Sequence, residues 1–290
     1  MKDFTLENLT DAVVEAYTEN AQSPRYAQLF KSLIKHLHAF AKDVELTEQE
    51  WFEGIQFLTA TGKMCDDRRQ EFILLSDTLG LSMMVDAINH PKGGKGTEST
   101  VLGPFYVEGA PTVESGANII KRDIGGEQVL VTGTVTNSDG KPISGATLDV
   151  WQTAKNQLYD VQDPTAPEWN LRAKIKALNN GEFCFVSEMP TSYPVPTDGP
   201  VGQLLKAGGR HAFRPAHLHF IVAAPGHQSL TTHLFVNGDP YLDSDAVFAT
   251  KADLVAEFEL SNDQKLAQQF GLSVPFKTVH YQFGLMQASI

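Results

Sequence analysis

The sequence has few cysteines and no excess of positive charge. Its two cysteines, Cys65 and Cys184, lie far apart and form no CxxC pair. A disulfide framework is therefore not expected, and a reducing cytoplasm is the predicted location. The formal net charge is −12, which argues against nucleic acid or an anionic membrane as the partner, because both require basic patches on the protein.

Long apolar runs are also missing. No stretch approaches about 18 consecutive apolar residues, so no membrane-spanning helix is expected. Residues 1–7 contain no apolar segment after a basic start, and no secretory signal is predicted. Hydrophobic residues make up 42% of the chain and charged residues 20%, which is typical of a globular protein. These features predict a soluble intracellular protein.

Up to about residue 90, the apolar residues recur at helical spacing. Ser23 followed by Pro24 predicts an N-cap and the first residue of a helix, and Thr47 with Glu50 forms a capping box ahead of another. A fourth helix is predicted over residues 69–88. The apolar stripes are larger than one small helical layer can cover, so we predict a homodimer that forms through these helices.

Beyond a glycine-rich linker at residues 91–96, the spacing of the apolar residues changes to that of β-strands. Asp139 and Gly140 provide the turn of a hairpin. Alternating apolar and polar residues predict strands in four segments, namely residues 129–135, 146–150, 183–185 and 218–222. We therefore predict an α+β chain with a helical N-terminal domain at residues 1–98 and an antiparallel β-sandwich at residues 99–290.

Two histidines share one face of the last of these strands. His217 and His219 are two residues apart, so they project together while Leu218 and Phe220 point into the core. Neutral imidazoles at this spacing can bind one metal ion. The alternative is a pair of histidines that merely share a face. No carboxylate follows closely, as a cupin-type iron site would require, and HExxH and GxSxG are absent.

Two tyrosines are further candidates. Tyr159 and Tyr193 each follow a predicted strand and lie in a polar stretch. Taken singly, a tyrosine in a loop is usually structural, with a half-buried ring and a hydrogen-bonded hydroxyl. Spacing alone does not distinguish these two from such residues.

Taken together, these segments resemble the intradiol ring-cleavage dioxygenases, within the group of catechol and hydroxyquinol 1,2-dioxygenases. The RPAHLHF segment with its two upstream tyrosines is the most specific part of the resemblance. The matching stretches cover nearly the whole chain in the family's order, namely residues 71–77, 101–106, 149–159, 189–193, 209–211, 214–220 and 238–242.

The resemblance implies one Fe(III) per chain, bound by Tyr159, Tyr193, His217 and His219. Phenolates are hard anionic donors, and binding to the cation keeps a tyrosine ionised far below its ordinary pKa of about 10. The implied reaction inserts both atoms of O2 while cleaving a catechol-type ring between its adjacent hydroxyls. Tyr193 would leave the metal and accept a substrate proton, and Arg214 would stabilise negative charge on the substrate. An ordinary salt bridge is the alternative role for Arg214.

The resemblance also implies a substrate pocket. Its residues would be Leu74, Asp77, Val101, Leu102, Gly103, Pro104, Phe105, Val195, Pro196, Arg214 and Val247. A carboxylate such as that of Asp77, facing a dry aromatic pocket, needs a hydrogen-bond donor, and a third ring hydroxyl would be one. We therefore expect hydroxyquinol (1,2,4-trihydroxybenzene) as the substrate, with catechol or a chlorocatechol as the alternative. Asp77 could instead cap a helix or form a salt bridge at its surface.

Three further points stay open in the sequence. His233 stands where catechol-cleaving relatives tend to carry glutamine, and its role is not determined. The resemblance implies the same homodimer through the N-terminal helices, with a lipid in the helical seam. A transthyretin-like binding module is the alternative from a different functional class, and in such a module the histidines and tyrosines would be incidental.

Overall fold

The computed structural model describes residues 3–66, 69–91 and 96–288. Most of the predicted linker at residues 91–96 lies outside the described residues. The contacts divide the chain into two compact units, residues 1–60 and residues 61–290. In the described part of the chain, no helix has both the length and the apolar character needed to cross a membrane.

The first unit is helical. Its helices are α1 (Leu9–Thr18), α2 (Pro24–Asp43) and most of α3 (Glu48–Lys63). The hydroxyl of Ser23 accepts a hydrogen bond from the amide of Tyr26 at 3.3 Å, which caps α2. The amide of Thr47 donates to the carboxylate of Glu50 at 3.0 Å, and the amide of Glu50 donates back to the Thr47 hydroxyl. Both predicted helix starts are confirmed.

The predicted fourth helix is in fact two helices, and both belong to the second unit. They are α4 (Glu71–Thr78) and α5 (Leu81–Asn89). Gly80 separates them with a φ of 73°, a left-handed conformation that glycine adopts readily and that ends a helix. The apolar residues keep a helical spacing on both sides of Gly80, so their pattern alone does not reveal the break.

The rest of the second unit consists mainly of β-strands. They are β1 (Thr112–Glu114), β2 (Gln128–Asn137), β3 (Thr147–Trp151), β4 (Arg172–Lys176), β5 (Glu182–Glu188), β6 (Tyr193–Pro194), β7 (Phe213–Arg214), β8 (His217–Ala223), β9 (Leu230–Val236), β10 (Val255–Ala256), β11 (Glu259–Ser261) and β12 (Phe276–Leu285). Two further helices are α6 (Pro200–Ala207) and α7 (Gln264–Phe270).

The strands form two larger sheets and one short pair. The six-stranded sheet has the order β1-β4-β3-β8-β9-β10, the four-stranded sheet has the order β11-β12-β2-β5, and β6 pairs with β7. Three pairs are parallel, β1 with β4, β9 with β10, and β2 with β12. The sheets are therefore mixed, and the prediction of a wholly antiparallel sandwich is wrong in this respect, because alternation along a strand carries no information about the direction of its neighbour.

The two larger sheets enclose one apolar core. Leu148 and Val150 of β3 pack there with Phe185 of β5 and Phe283 of β12. Leu218 and Phe220 of β8 enter the same core. Since side chains alternate along a strand, the residues between and beside them on β8 face away from the core. This alternation places His217 and His219 on the opposite face of the six-stranded sheet.

Candidate metal centre

The histidine pair on β8 forms one half of a buried cluster. His217 and His219 are each 2% exposed, and their Nε2 atoms lie 3.0 Å apart. The indole of Trp151, on the neighbouring strand β3, stacks on the ring of His219 with centroids 4.6 Å apart. The sheet therefore fixes both imidazoles on one face, as their spacing in the sequence predicts.

The other half consists of two tyrosines from separate parts of the chain. Tyr159 lies in the loop after β3, and Tyr193 begins β6, where it pairs with Arg214 of β7. The hydroxyl of Tyr159 lies 3.1 Å from that of Tyr193 and 2.9 Å from Nε2 of His219. Two phenol oxygens and two imidazole nitrogens thus converge in the second unit.

Packing and an ion pair hold the Tyr159 loop in place. The carboxylate of Asp160 lies 2.7 Å from the guanidinium of Arg172 on β4, and both side chains are almost fully buried. Phe105 stacks on the Tyr159 ring with centroids 4.6 Å apart. A buried ion pair next to a loop tyrosine restricts its position strongly, because breaking such a pair leaves an uncompensated charge.

Burial favours the neutral forms of His217, His219 and Tyr159 when no metal ion is bound. Loss of solvation lowers the pKa of His217 well below its usual value, and the charge of Arg214 lowers it further. Loss of solvation, followed by the effect of His233 and His217, lowers the pKa of His219 in the same way. Burial raises the pKa of the Tyr159 phenol well above 10. Neutral imidazoles have lone pairs for a metal, and a bound cation would reverse the preference of the phenol.

The donor atoms fit a single metal ion. Nδ1 of His217 lies 2.6 Å from the carbonyl oxygen of Pro215, which can only accept, so Nδ1 carries the proton and Nε2 presents a lone pair. The Tyr193–Tyr159, Tyr159–His219 and His219–His217 donor atoms are 2.9 to 3.1 Å apart. Ligands bound about 2 Å from one ion and roughly at right angles would lie about 3 Å apart. Two phenol oxygens also suit a hard cation such as Fe(III).

His233 is a third histidine close to this cluster. The ligand-type atoms of His217, His219 and His233 lie within 4.8 Å of one another, so a three-histidine site is conceivable. However, Nε2 of His233 lies 2.7 Å from Nδ1 of His219, on the side of that ring away from the tyrosines. A nitrogen that makes this hydrogen bond is not available to an ion at Nε2 of His219, and we place His233 behind the cluster.

Arg214 joins the cluster to a buried aspartate. Its Nη1 lies 3.2 Å from Nε2 of His217 and 3.5 Å from the hydroxyl of Tyr193. Its Nε donates to Asp245 at 3.1 Å. Asp245 also accepts hydrogen bonds from the amides of Val247 and Ala249. Arg214 thus combines a salt bridge with a position at the cluster, and no sequence pattern identified Asp245 as its partner.

Several of the predicted pocket residues surround the cluster. A Cβ on Gly103 would lie 3.2 Å from the ring of His219, a tight contact, and the φ of 77° at this residue also favours glycine. Phe105 also faces Tyr193 edge-on at 6.4 Å. Val247 is fixed through its amide to Asp245. These contacts place Gly103 and Phe105 beside the candidate ligands and Val247 beside Asp245, the partner of Arg214.

Asp77 is buried on α4, with 2% of its surface exposed. This burial excludes the alternative role of a surface cap or surface salt bridge. Loss of solvation raises the pKa of its carboxyl, against the lowering effects of a hydrogen bond with Ser82 and of the charge of Arg214. Asp77 is therefore close enough to Arg214 and Asp245 for both charges to act on its carboxyl, in opposite directions.

The remaining predicted pocket residues differ in how far they are exposed to solvent. Leu74, Val101 and Val195 are buried, and Pro104 and Pro196 are half-buried. Leu102 is exposed and lines a separate hollow together with residues such as Asp86 and Ser99. None of the four candidate ligands lines that hollow, and a role for Leu102 at the substrate stays a prediction.

Comparison with known proteins places the whole chain in one group. Residues 101–287 match the family described as dioxygenase, and residues 23–97 match the family described as catechol dioxygenase N terminus. The chain is 48% identical to 6-chlorohydroxyquinol 1,2-dioxygenase of Cupriavidus pinatubonensis over 91% of this chain and 95% of that protein. It is 46% identical to hydroxyquinol 1,2-dioxygenase of a Rhizobium species over 93% and 92%, respectively. The solved structure of hydroxyquinol 1,2-dioxygenase from Pseudomonas putida DLL-E4 is 49% identical, covers 98% of this chain and 99% of its own, and superposes with a TM-score of 0.89.

Proposed function

The chain belongs to the catechol dioxygenase family of intradiol ring-cleavage dioxygenases, and from this premise we propose that it cleaves hydroxyquinol with O2 at a non-haem Fe(III) centre. The product would be 3-hydroxy-cis,cis-muconate or its tautomer maleylacetate, formed in aromatic catabolism. The single observation that carries the proposal is the convergence of two phenol oxygens and two imidazole nitrogens, in which Tyr193 lies 3.1 Å from Tyr159, Tyr159 lies 2.9 Å from His219, and His219 lies 3.0 Å from His217.

Tyr159, Tyr193, His217 and His219 would hold the iron. When bound, the iron would supply Lewis acidity that makes a catechol-type ring reactive towards O2. The phenol oxygens contribute negative charge, and the imidazoles contribute neutral lone pairs. This division of roles suits Fe(III) better than an ion of lower charge.

The chain's own residues would manage protons and charge. The Tyr193 oxygen lies within 3.5 Å of Nη1 of Arg214, so a phenolate there can accept a substrate hydroxyl proton beside a fixed cation. The Arg214 guanidinium, held by Asp245, would stabilise negative charge that develops on the substrate oxygens. Phe105 and Gly103 would form a wall that keeps water away from the ring.

Asp77 supports hydroxyquinol over catechol. Its buried carboxylate would accept a hydrogen bond from the third ring hydroxyl, which catechol lacks. The relatives described above whose names specify hydroxyquinol or 6-chlorohydroxyquinol agree with this choice. Catechol and chlorocatechol are the alternative substrates.

We propose in addition the features of the whole protein that the sequence predicts. They are a homodimer through the N-terminal helices with a lipid in its seam, a cytoplasmic location, and a domain boundary between residues 98 and 99. The free side chains of Cys65 and Cys184 are compatible with a reducing compartment.

The decisive experiment measures iron and turnover in the same purified sample. We expect about one iron per chain, a visible phenolate-to-Fe(III) charge-transfer band, and O2-dependent conversion of hydroxyquinol to a ring-opened diacid that contains both atoms of 18O2. Steady-state rates with hydroxyquinol, catechol and 4-chlorocatechol, measured side by side, would rank the substrates. A colourless protein that takes up no iron and leaves all three compounds unchanged would favour a non-catalytic binding module.

A further inference from the structure

We propose that His233 and Thr100 are positioning residues that select the tautomer of His219 and thereby set how strongly His219 binds iron. This inference rests on the proposed function, since it assumes that His219 is an iron ligand. It assigns a role to the histidine whose purpose the sequence leaves open.

A continuous row of hydrogen-bonding atoms runs away from the cluster. Nδ1 of His219 lies 2.7 Å from Nε2 of His233, and Nδ1 of His233 lies 2.7 Å from the hydroxyl of Thr100. His219 and His233 are directly opposite each other on β8 and β9, so their side chains share one face of the sheet. The amide of Thr100 donates to the carbonyl of Thr231 on β9, which fixes the end of the row.

All three side chains in this row are buried. His233 is 0% exposed, and His219 and Thr100 are only slightly more accessible. A buried polar atom is costly unless it has a hydrogen-bond partner, so each nitrogen in the row needs the neighbour that it has. The hydrogen bonds of the row are therefore part of the buried core, and water cannot take the place of a lost partner.

Two arrangements of protons satisfy this row. A neutral imidazole has one N–H donor and one lone-pair acceptor. In the first arrangement, His219 donates from Nδ1 to His233, and His233 donates from Nδ1 to Thr100. In the second, the Thr100 hydroxyl donates to His233, which donates to His219. The Nε2–H of His219 then faces the Tyr159 hydroxyl, 2.9 Å away, and Nε2 of His217, 3.0 Å away.

Only the first arrangement lets His219 bind a metal through Nε2. The second places a proton on that nitrogen, which then donates a hydrogen bond to Tyr159 or His217 instead of binding a metal. A hydroxyl can either accept or donate, so Thr100 is suited to end the row in both arrangements. Metal binding would select the first arrangement, and a partner that accepts the Nδ1 proton makes an imidazole a stronger ligand.

His217 provides an internal comparison. Its Nδ1 faces the carbonyl oxygen of Pro215, which cannot donate, so its tautomer is fixed whether or not a metal is present. The partner of His219 is His233, whose Nε2 can either accept or donate a hydrogen bond, so the tautomer of His219 depends on that of His233. Iron binding would thus require no proton shift at His217, but it could require one at His219.

The test replaces His233 in two ways. Glutamine offers one oxygen acceptor and one N–H2 donor, so His233→Gln can accept from His219 and donate to Thr100. His233→Leu removes both functions. We expect His233→Leu to weaken iron binding about 10- to 100-fold, the usual effect of losing a residue that orients a metal-binding histidine, and to shift the charge-transfer band. His233→Gln should restore both properties towards those of the unmodified protein.

A second readout and a matched control separate this role from a general loss of stability. In metal-free protein, 15N chemical shifts of the His219 ring would report the tautomer, and protein loaded with diamagnetic Ga(III) should show the proton on Nδ1. The control is His280→Leu, which removes another histidine–threonine pair, His280 with Thr132 at 3.1 Å on the exposed side of β12. His280→Leu should leave iron affinity and the visible band unchanged.

The outcomes distinguish the inference from the function on which it rests. If unmodified protein binds no iron, the proposed function fails. If it binds iron and folded His233→Leu binds iron equally well with the same band, the role of His233 is wrong. If folded His233→Gln is as weak as folded His233→Leu, then the shape of the ring matters rather than its hydrogen bonds, and the inference is overturned.

Discussion

The carboxylate of Asp77 gives a sharp prediction about substrate choice at the scale of one residue. Replacement by alanine should lower kcat/KM for hydroxyquinol about 10- to 100-fold, because a hydrogen bond to a buried charged acceptor contributes about 1.5–3 kcal/mol. The same change should leave kcat/KM for catechol unchanged or raise it, since bound catechol then no longer faces a buried carboxylate to which it offers no hydrogen-bond donor. Steady-state kinetics with both substrates measures the ratio directly.

The control for this prediction is Asp243→Ala, which removes an exposed aspartate. This variant should leave kcat/KM unchanged for both hydroxyquinol and catechol. If Asp77→Ala slowed both substrates equally while iron content stayed constant, then Asp77 would maintain the pocket without recognising the third hydroxyl.

At this same scale, the sequence predicted which side chains come together only where local geometry determines it. The pairing of His217 and His219 follows from strand alternation. Tyr159 and Tyr193 meet only because β6 pairs with β7 and the Tyr159 loop is fixed by Asp160 and Arg172. These are contacts between distant parts of the chain, so only the resemblance to a family identified the tyrosines.

At the scale of elements, Arg210 links the two segments that border the pocket. Its Nη1 donates to the carbonyl of Thr78 at the end of α4, and its Nη2 donates to the carbonyl of Ala246. The guanidinium also lies over the ring of Phe248, 4.3 Å from the centroid. Arg210 therefore holds the end of the helix that carries Asp77 against the loop that carries Val247.

We expect Arg210→Gln to raise KM for hydroxyquinol about tenfold and to reduce the preference of the enzyme for hydroxyquinol over catechol. The reason is that small displacements of positioning groups have large kinetic effects. Iron content and the visible band should stay constant, since Arg210 contacts Thr78, Ala246 and Phe248 rather than the candidate ligands. Arg25→Gln, on the exposed surface of α2, is the control. A loss of iron in Arg210→Gln would show that this residue supports the metal centre rather than the pocket.

The elements themselves were predicted better than their connections. The alternating segments correspond to β2, β3, β5 and β8, and the capping residues mark the starts of α2 and α3. The break at Gly80 was missed because a left-handed glycine interrupts a helix without disturbing the spacing of apolar residues. The parallel pairing of β2 with β12 was missed because it depends on the route of the whole chain.

At the scale of the whole molecule, apolar surface on the first unit bears on assembly. Leu29, Leu33, Leu37 and Phe40 recur at helical spacing on α2, and each is about half exposed. Trp51, Ile55 and Leu58 add a similar stripe on α3. A contiguous apolar surface of this kind is uncommon on a monomer and is typical of an interface or a lipid-binding seam. The helical spacing of the apolar residues predicted this exposed surface, but that spacing does not determine what covers it.

We predict that a second copy of the chain covers the α2 stripe. Leu33 and Leu37 are each 56% exposed on one side of α2, and a double replacement Leu33→Asp with Leu37→Asp would place two charges in the apolar centre of the interface. Sedimentation at micromolar concentration should show a dimer for the unmodified protein and a monomer for the double variant. The matched control is Lys35→Asp, which adds a negative charge to the same helix at an exposed polar position and should remain dimeric. An unmodified protein that sediments as a monomer would contradict the prediction, and mass spectrometry of an organic extract of the dimer would show whether a lipid shares the seam.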